Sequence, residues 1–321
     1  MSVASWIARS ALLLALPVVA HAQYPDQSVR LLVGFPPGTA PDIVARTVGH
    51  EMGQALGQTV VVENRAGAGG QIAAQAAARA TPDGYTLLLG EVGSLGIAPA
   101  AYPALPYDAA KDFTPVSEAA RADFVLVVPA SSPHKTVQDF VASAKASKDR
   151  LNFATFGAAT PGHFGAELFA KSAGFAIEPV HYRSTGDAVS ALVSGSVEGG
   201  FITTAMASQQ VAGGKMRALA ATGKQRSPIF PDLPTMTEAG LPDVTFSSWM
   251  AVVAPAGTPP DVVAKVQDSV AKALKAPGME RKLGDMGLAL VGSSSADLGK
   301  LMASDTERWK VIVKETGFKP E

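Results

Sequence analysis

The chain has 321 residues, 47% hydrophobic and 17% charged, with a formal net charge of −1 and no cysteine. That length fits two units of roughly 100–200 residues each, and the hydrophobic share excludes a disordered chain. A near-neutral charge without blocks of like sign argues against nucleic-acid and polybasic membrane surfaces, and the absence of cysteine excludes a disulfide scaffold, thiol catalysis, cysteine-bound zinc, iron–sulfur clusters and a lipoprotein anchor.

Residues 1–22 carry Arg9, then an apolar run over 11–20, and close on Ala20-His21-Ala22. This is the charged region, hydrophobic region and A-x-A site of an export signal. The run is shorter than the about 20 apolar residues that span a bilayer. Cleavage after Ala22 is expected, with no stable membrane insertion, and the simplest destination is a bacterial periplasm.

The mature chain alternates short apolar runs with amphipathic stretches. A buried strand is expected at 28–34, and a helix over 42–56 that groups Ile43, Val44, Val48, Met52 and Leu56 near one face. A strand at 60–64, an Ala-rich helix at 71–79 and a strand at 85–90 follow. Apolar strands joined by helices predict a parallel sheet covered on both faces, with right-handed crossovers. The rhythm restarts after 112–116, with strands at 124–128, 151–156, 179–182, 197–203 and 216–222 and helices at 137–146, 161–173 and 188–195. A Pro-rich loop at 230–235 and a strand at 249–255 precede a mostly helical end, closing with a long helix near 296–316. Two such blocks without a floppy linker predict an α/β protein of two lobes joined by extended strands. The expected crossings are near 121–124 and 246–250. Residues 23–122 plus 250–321 would form the first lobe and 123–249 the second.

Catalytic signatures are sparse. Val92 stands where a G-x-S-x-G elbow at Ser94 would need glycine. No G-K-[ST] phosphate loop occurs. The stretch from Gly67 to Ile72 resembles a dinucleotide fingerprint but has Ile72 at the third glycine position. His50, His134, His163 and His181 show no H-x-x-x-H spacing, so neither a metal nor a cofactor is expected. What recurs is a series of small-residue loops, each after a predicted strand and before a predicted helix: 35–42, 66–71, 90–94, 156–163, 183–187 and 202–205. Ligands of open α/β sheets sit beyond the strand C-termini. Glycine lets backbone N–H groups come close. Each helix N-terminus adds roughly 0.3–1 kcal/mol toward an anion. Several converging ends would hold a carboxylate without an arginine. Any one of these loops also reads as an ordinary turn, and His163 as a structural histidine.

These loops belong to a longer ordered pattern. It includes Phe35-Pro36-Pro37-Gly38 with Asp42 and Ala45-Arg46, and Val61-Val62-Glu63-Asn64-Arg65-Ala66-Gly67-Ala68-Gly69-Gly70. Pro82-Asp83-Gly84-Tyr85-Thr86, Leu105-Pro106-Tyr107-Asp108, Pro231-Asp232-Leu233-Pro234-Thr235 and Ala254-Pro255-Ala256-Gly257-Thr258-Pro259 continue it. With these motifs the sequence resembles the extracytoplasmic receptors of tripartite tricarboxylate transporters, the Bug-type solute-binding proteins, over nearly the whole mature chain. The resemblance implies a two-lobed periplasmic-binding-protein fold of the type II, Venus-flytrap kind, with a parallel-type sheet in each lobe. It implies a monomeric receptor rather than an enzyme, closing on a small carboxylate and delivering it to membrane permease subunits. Carried over by position, it implicates Pro37, Gly38, Thr39, Asp42, Ala68, Gly69 and Gln71 from the first lobe. From the second it implicates Gly157, Thr160 and His163, with Tyr182 and Arg183 in the Y-K/R-G segment.

Three departures from the family pattern bear on the ligand. Thr39 replaces the second glycine of the P-P-G-G loop and adds a hydroxyl. Phe156 replaces a small polar residue. Ile202 and Thr203 stand where an Asp-Asn pair is common, which argues against an amino-acid ligand. Phe35 and Phe156 on opposite lobes would sandwich a ring, or else pack at the hinge. The candidate ligand set is completed by Ser94 and Thr203. An aromatic carboxylate such as terephthalate is the first expectation and an aliphatic di- or tricarboxylate the second. A ligand sensor for a kinase, or a hydrolase using Ser94 or Ser184 with His163, are the rivals.

Overall fold

The computed structural model describes residues 24–182 and 184–319. The expected export signal and Arg183 lie outside them. The chain runs β1 (Val29–Val33), α1 (Ala40–Leu56), β2 (Val60–Asn64), α2 (Gln71–Ala78), β3 (Thr86–Glu91), α3 (Ala98–Ala101) and β4 (Phe113–Pro129). It continues through α4 (Val137–Ala146), β5 (Leu151–Thr155), α5 (Pro161–Ala173), β6 (Ile177–His181), α6 (Thr185–Ser194), β7 (Gly199–Thr203), α7 (Thr204–Ala212) and β8 (Met216–Ala221). It ends with β9 (Ser247–Pro255), α8 (Pro260–Leu274), α9 (Met279–Gly284), β10 (Leu288–Leu290) and α10 (Ser295–Thr316).

Local chemistry sets most of these boundaries. Pro41 lies in the first turn of α1, and Gly57 ends that helix in the left-handed conformation. A capping box between Thr136 and Asp139 opens α4. Thr160, Ser184 and Ser294 hydroxyls accept from N–H groups in the first turns of α5, α6 and α10.

The strands form two sheets that share β4. The first has the order β2-β1-β3-β9-β4 and the second β4-β7-β5-β6, with β10 and β8 also on β4. Strands β1, β2 and β3 are mutually parallel, as are β5, β6 and β7. The predicted parallel character thus holds for three strands in each sheet. Strands β4 and β9 run antiparallel to their neighbours. The first part of β4 pairs with β9, and residues 124–129 pair with β7 and β8. A strand that continues from one sheet into the next makes no helical crossover, so it is free to run antiparallel.

The 17 residues of β4 extend well beyond the predicted 124–128. Polar residues at 117, 118, 121 and 123 mask its first part in the sequence. Tertiary partners accommodate them: Ser117 Oγ donates to Ser293 O at 2.8 Å, and Arg121 holds buried Glu118 in a fork of two 2.7 Å bonds. Register shifts along β4 bend it between the sheets. The short β10 and the π-turn Gly93–Ile97 are also absent from the sequence-based expectation, while α7 follows the loop at 202–205 as expected, at bounds the sequence pattern does not mark.

One core layer lies between the first sheet and helices α1 and α8, with Leu31, Val48, Met52, Leu87, Val266 and Val270 fully buried. A second runs continuously from the other face of that sheet into the second one, through Leu88, Trp249, Trp309, Phe164, Phe201 and Phe246. Helix α10 rests on both halves. Its Asp305 accepts from Trp249 Nε1 at 2.6 Å, and Trp309 meets the Phe164 ring of α5 at 6.0 Å. Glu315 pairs with Lys171, and Phe318 just beyond packs on Phe164. No helix among the described residues is long and apolar enough to cross a membrane.

Candidate functional site

The C-terminal ends of β1, β2 and β3 bring three loops together. A Cβ on Gly34 would lie 2.4 Å from Gly70 Cα, so the first two loops touch backbone to backbone. A Cβ on Gly70 would lie 3.4 Å from both Phe35 Cε2 and Ser94 Cβ, which joins the third loop. Ala68, Gly69 and Gly70 have φ of +47°, +61° and +90° immediately before α2. Successive residues in such a turn direct N–H groups into a concavity suited to an anion.

Asp42 organises the first loop. Its carboxylate accepts from Gly38 N at 2.9 Å, Asn64 Nδ2 at 2.8 Å and Arg46 Nε at 3.1 Å. Asn64 Nδ2 also donates to Phe35 O at 2.9 Å, tying the second loop to the first. Burial opposes ionisation of Asp42. The bonds from Arg46, Asn64 and Gly38 and the Arg46 charge outweigh it and hold the carboxyl below its ordinary value. Asp42 is buried and engaged on both oxygens, so it shapes the loop that the sequence places around a ligand. Arg46 and Asn64, passed over as site residues in the sequence, complete this network. Their only sequence signal is that both lie within the ordered motifs.

The second sheet carries a matching loop after β5. Gly157 has φ +113° and Ala159 φ +54°. Thr160 Oγ1 donates to Gly157 O at 2.9 Å and caps α5 by accepting from His163 N. Ala159 N donates to His163 Nδ1 at 3.1 Å. The His163 ring stacks on Phe164 and meets the edges of His181 and Phe318. Burial, and next the nearby His181, push His163 down to about 4, so it is a neutral acceptor at pH 7. Its Nδ1 braces the loop from within.

The remaining candidates separate by exposure. Pro37, Gly38, Ala68 and Gly69 are exposed at the loop tips, while Thr39, Gln71, Phe156, Gly157 and Thr160 are half-buried. Thr39 Oγ1 donates to Pro36 O at 2.7 Å. Ser94 is buried, with its hydroxyl on Glu91 O and its carbonyl on Tyr107 Oη. Thr203 ends β7 opposite Phe124 of β4, and the next hydroxyl, Thr204, donates to Asp123 O at 3.0 Å. Phe35 and Phe156 are both half-buried, each packed beside the core of its own sheet. Arg183 lies outside the described residues. Ser184 Oγ binds Asp187, and no serine hydroxyl bonds to His163 among the described residues, so the hydrolase pairing is not assembled.

Glu91 was not among the sequence candidates. It ends β3 inside the third loop, half-buried, opposite Met250 of β9. Its carboxyl has no hydrogen-bond or ion-pair partner among the described residues, and burial pushes it up to about 8. A lone acid closing the run Leu87-Leu88-Leu89-Gly90 was the available signal. Among the described residues no group of three or more His, Asp or Glu side chains is placed to hold a metal. Two other grooves flank α10, one of about 840 Å³ beside residues 95–115 and one of about 210 Å³ beside α5, and neither includes a candidate ligand residue.

Two sheets joined by the shared strand β4, with loops and helix N-termini gathered at the parallel-strand ends, define a two-lobed solute-binding protein of the periplasmic class. Residues 44–318 match the tripartite tricarboxylate transporter family receptor, and the chain belongs to that family. It is 34% identical to the protein BugT of Bordetella pertussis, covering 95% of this chain and 94% of that one. Among solved structures it is similar to MatC of Rhodopseudomonas palustris with bound malate, at 33% identity and a TM-score of 0.77, covering 90% of this chain and all of that one. A second R. palustris protein, solved with adipate, is 32% identical with a TM-score of 0.81, covering 93% of this chain and all of that one. The family is one of solute-binding receptors and not of enzymes.

Proposed function

We propose that this receptor works in the periplasm and captures a small dicarboxylate between its lobes, for delivery to the membrane subunits of its transporter. The observation that carries this reading is the matched pair of strained loops. Ala68 and Ala159 are the non-glycine residues with positive φ among the described residues, and each lies just ahead of a helix in a different sheet. Such strain is retained where it serves a site. The helix starts behind these loops supply partial positive charge, while Arg46 and Arg65 beside them are engaged by Asp42 and Glu63. Malate and adipate in two similar proteins support a dicarboxylate.

The proposed lobe division is 23–122 with 250–321 against 123–249, closing by hinge motion about β4 and β9. A working monomer and cleavage after Ala22 complete the reading. An aromatic dicarboxylate such as terephthalate is its sharper form, supported by two half-exposed rings, Phe35 and Phe156, one beside each sheet's loops.

A thermal-shift screen of ligand-stripped mature protein tests this. A ligand at about 100 times its dissociation constant adds roughly 2.7 kcal/mol. Adipate, malate or terephthalate should shift the melting temperature while neutral sugars leave it fixed. A Phe156→Ala variant should weaken terephthalate selectively, and equal weakening of adipate would reject the ring sandwich. A screen in which no carboxylate shifts melting would reject the carboxylate reading.

A further inference from the structure

The third loop contains a carboxyl group that the fold leaves without a partner. Glu91 ends β3, the parallel strand that borders β9, three residues before Ser94, whose Cβ is 3.4 Å from a Cβ built on Gly70. It therefore stands where the loops from β1, β2 and β3 meet. The residue is half-buried there, and its carboxyl has no partner among the described residues.

Most charged groups on the elements around it are engaged elsewhere. Strand β9 has no titratable residue. On β1, Arg30 is bonded to Thr86 and paired with Glu63. On β4, Glu118 and Arg121 hold each other, and Asp123 is half-buried toward the second sheet. In the loops and α1, Asp42 is held by Arg46 and Asn64, and Arg65 by Glu63. Helix α8 contributes the Asp268–Lys272 pair, and α10 contributes Asp305, bound to Trp249. The π-turn, α2 and α3 carry no charge. Loss of water is the sole cause raising Glu91, and it favours the neutral acid at pH 7.

We propose that Glu91 is a ligand-contacting acid: its protonated carboxyl donates a hydrogen bond to a carboxylate of the captured solute, so that capture is coupled to one proton. The inference rests on the carboxylate reading above. Two carboxylates sharing one site cannot both remain ionised at low cost. The neutral acid instead adds a short O–H···O⁻ bond to the backbone donors, among the stronger hydrogen bonds available. Above the pH at which Glu91 ionises in the empty protein, capture must first take up a proton. The competent fraction, and with it the affinity, then falls as pH rises.

Calorimetric titration with adipate, malate and terephthalate at pH 7, 8 and 9 tests this on the mature protein and on Glu91→Gln. These solutes are fully ionised throughout, so a pH effect belongs to the protein. For the wild type, the dissociation constant should rise about tenfold from pH 7 to 9, with uptake of nearly one proton at pH 9, read from the dependence of heat on buffer. Glu91→Gln should lose both the pH ratio and the uptake, and Glu91→Met carries the same comparison if the Gln variant folds poorly. Equal pH ratios in wild type and variant would overturn the role of Glu91 and leave the receptor reading intact. No binding of any of the three at any pH would overturn both.

Discussion

The two sheets each present a loop with a left-handed alanine ahead of a helix, but they hold it by different chemistry. The first jaw is fixed by charge and by close backbone packing: Asp42 gathers Gly38, Asn64 and Arg46, and Gly34 lies against Gly70. The second is fixed by neutral groups, Thr160 on Gly157 O and His163 under Ala159 N, backed by aromatic rings. Charge-assisted bonds are roughly twice as strong as neutral ones. The first jaw is therefore held by the stronger individual bonds. They also fail at different pH. Asp42, held below its ordinary value, stabilises fully above the unfolded carboxylate range and loses that contribution only as acid protonates the folded form. His163, pushed down to about 4, stabilises fully above the unfolded histidine range and loses that contribution earlier on acidification, between about 6.5 and 4.

The contrast is broken most severely at Gly34. A Gly34→Ala side chain would lie 2.4 Å from backbone with no flexible group to yield. Overpacking of this kind costs about 3 kcal/mol, at the top of its usual range. Denaturant unfolding should show the loss, with carboxylate binding reduced in the same protein. Asp42→Asn comes next. It removes the charge while keeping the shape, and should cost about 2 kcal/mol, within the range for hydrogen bonds to charged groups. The deficit should be greatest at neutral pH and vanish in acid, where wild-type Asp42 is itself protonated; a deficit independent of pH would mean that the carboxylate's charge does not organise the loop. Thr160→Ala is the mildest, a lost helix cap worth about 1 kcal/mol. Hydrogen exchange should localise its effect to 157–163 and leave 34–42 protected, and a change spread over both jaws would contradict their independence.

Much of the fold was legible because it is encoded locally. The strand at Val60–Asn64 and the helices Val137–Ala146 and Pro161–Ala173 have the expected bounds, since apolar runs, capping hydroxyls and proline act within a few residues. The first part of β4 was not legible, because Ser117 is satisfied by Ser293, 176 residues away. The bounds of helix α7 were hidden by its small polar residues, which show little periodicity. Within the site, the Gly and Ala loops were visible as composition. The roles of individual polar residues were not. Asp42, Ser94 and His163 resemble ligand donors in the sequence, but in the fold each has a polar atom already engaged by the chain. Glu91 shows the reverse, an inconspicuous acid that the fold leaves open.

The sequence by itself determined the alternation of strands and helices, the small-residue loops and the family motifs. Each depends on backbone preference and on residues close together in the chain. Only the tertiary structure decided which polar groups are engaged, how far β4 runs between the sheets, and that α10 braces both halves. A polar group is satisfied or left open according to what the fold brings to it from distant sequence, as when Asn64 reaches Asp42 across 22 residues, and no local pattern records that outcome.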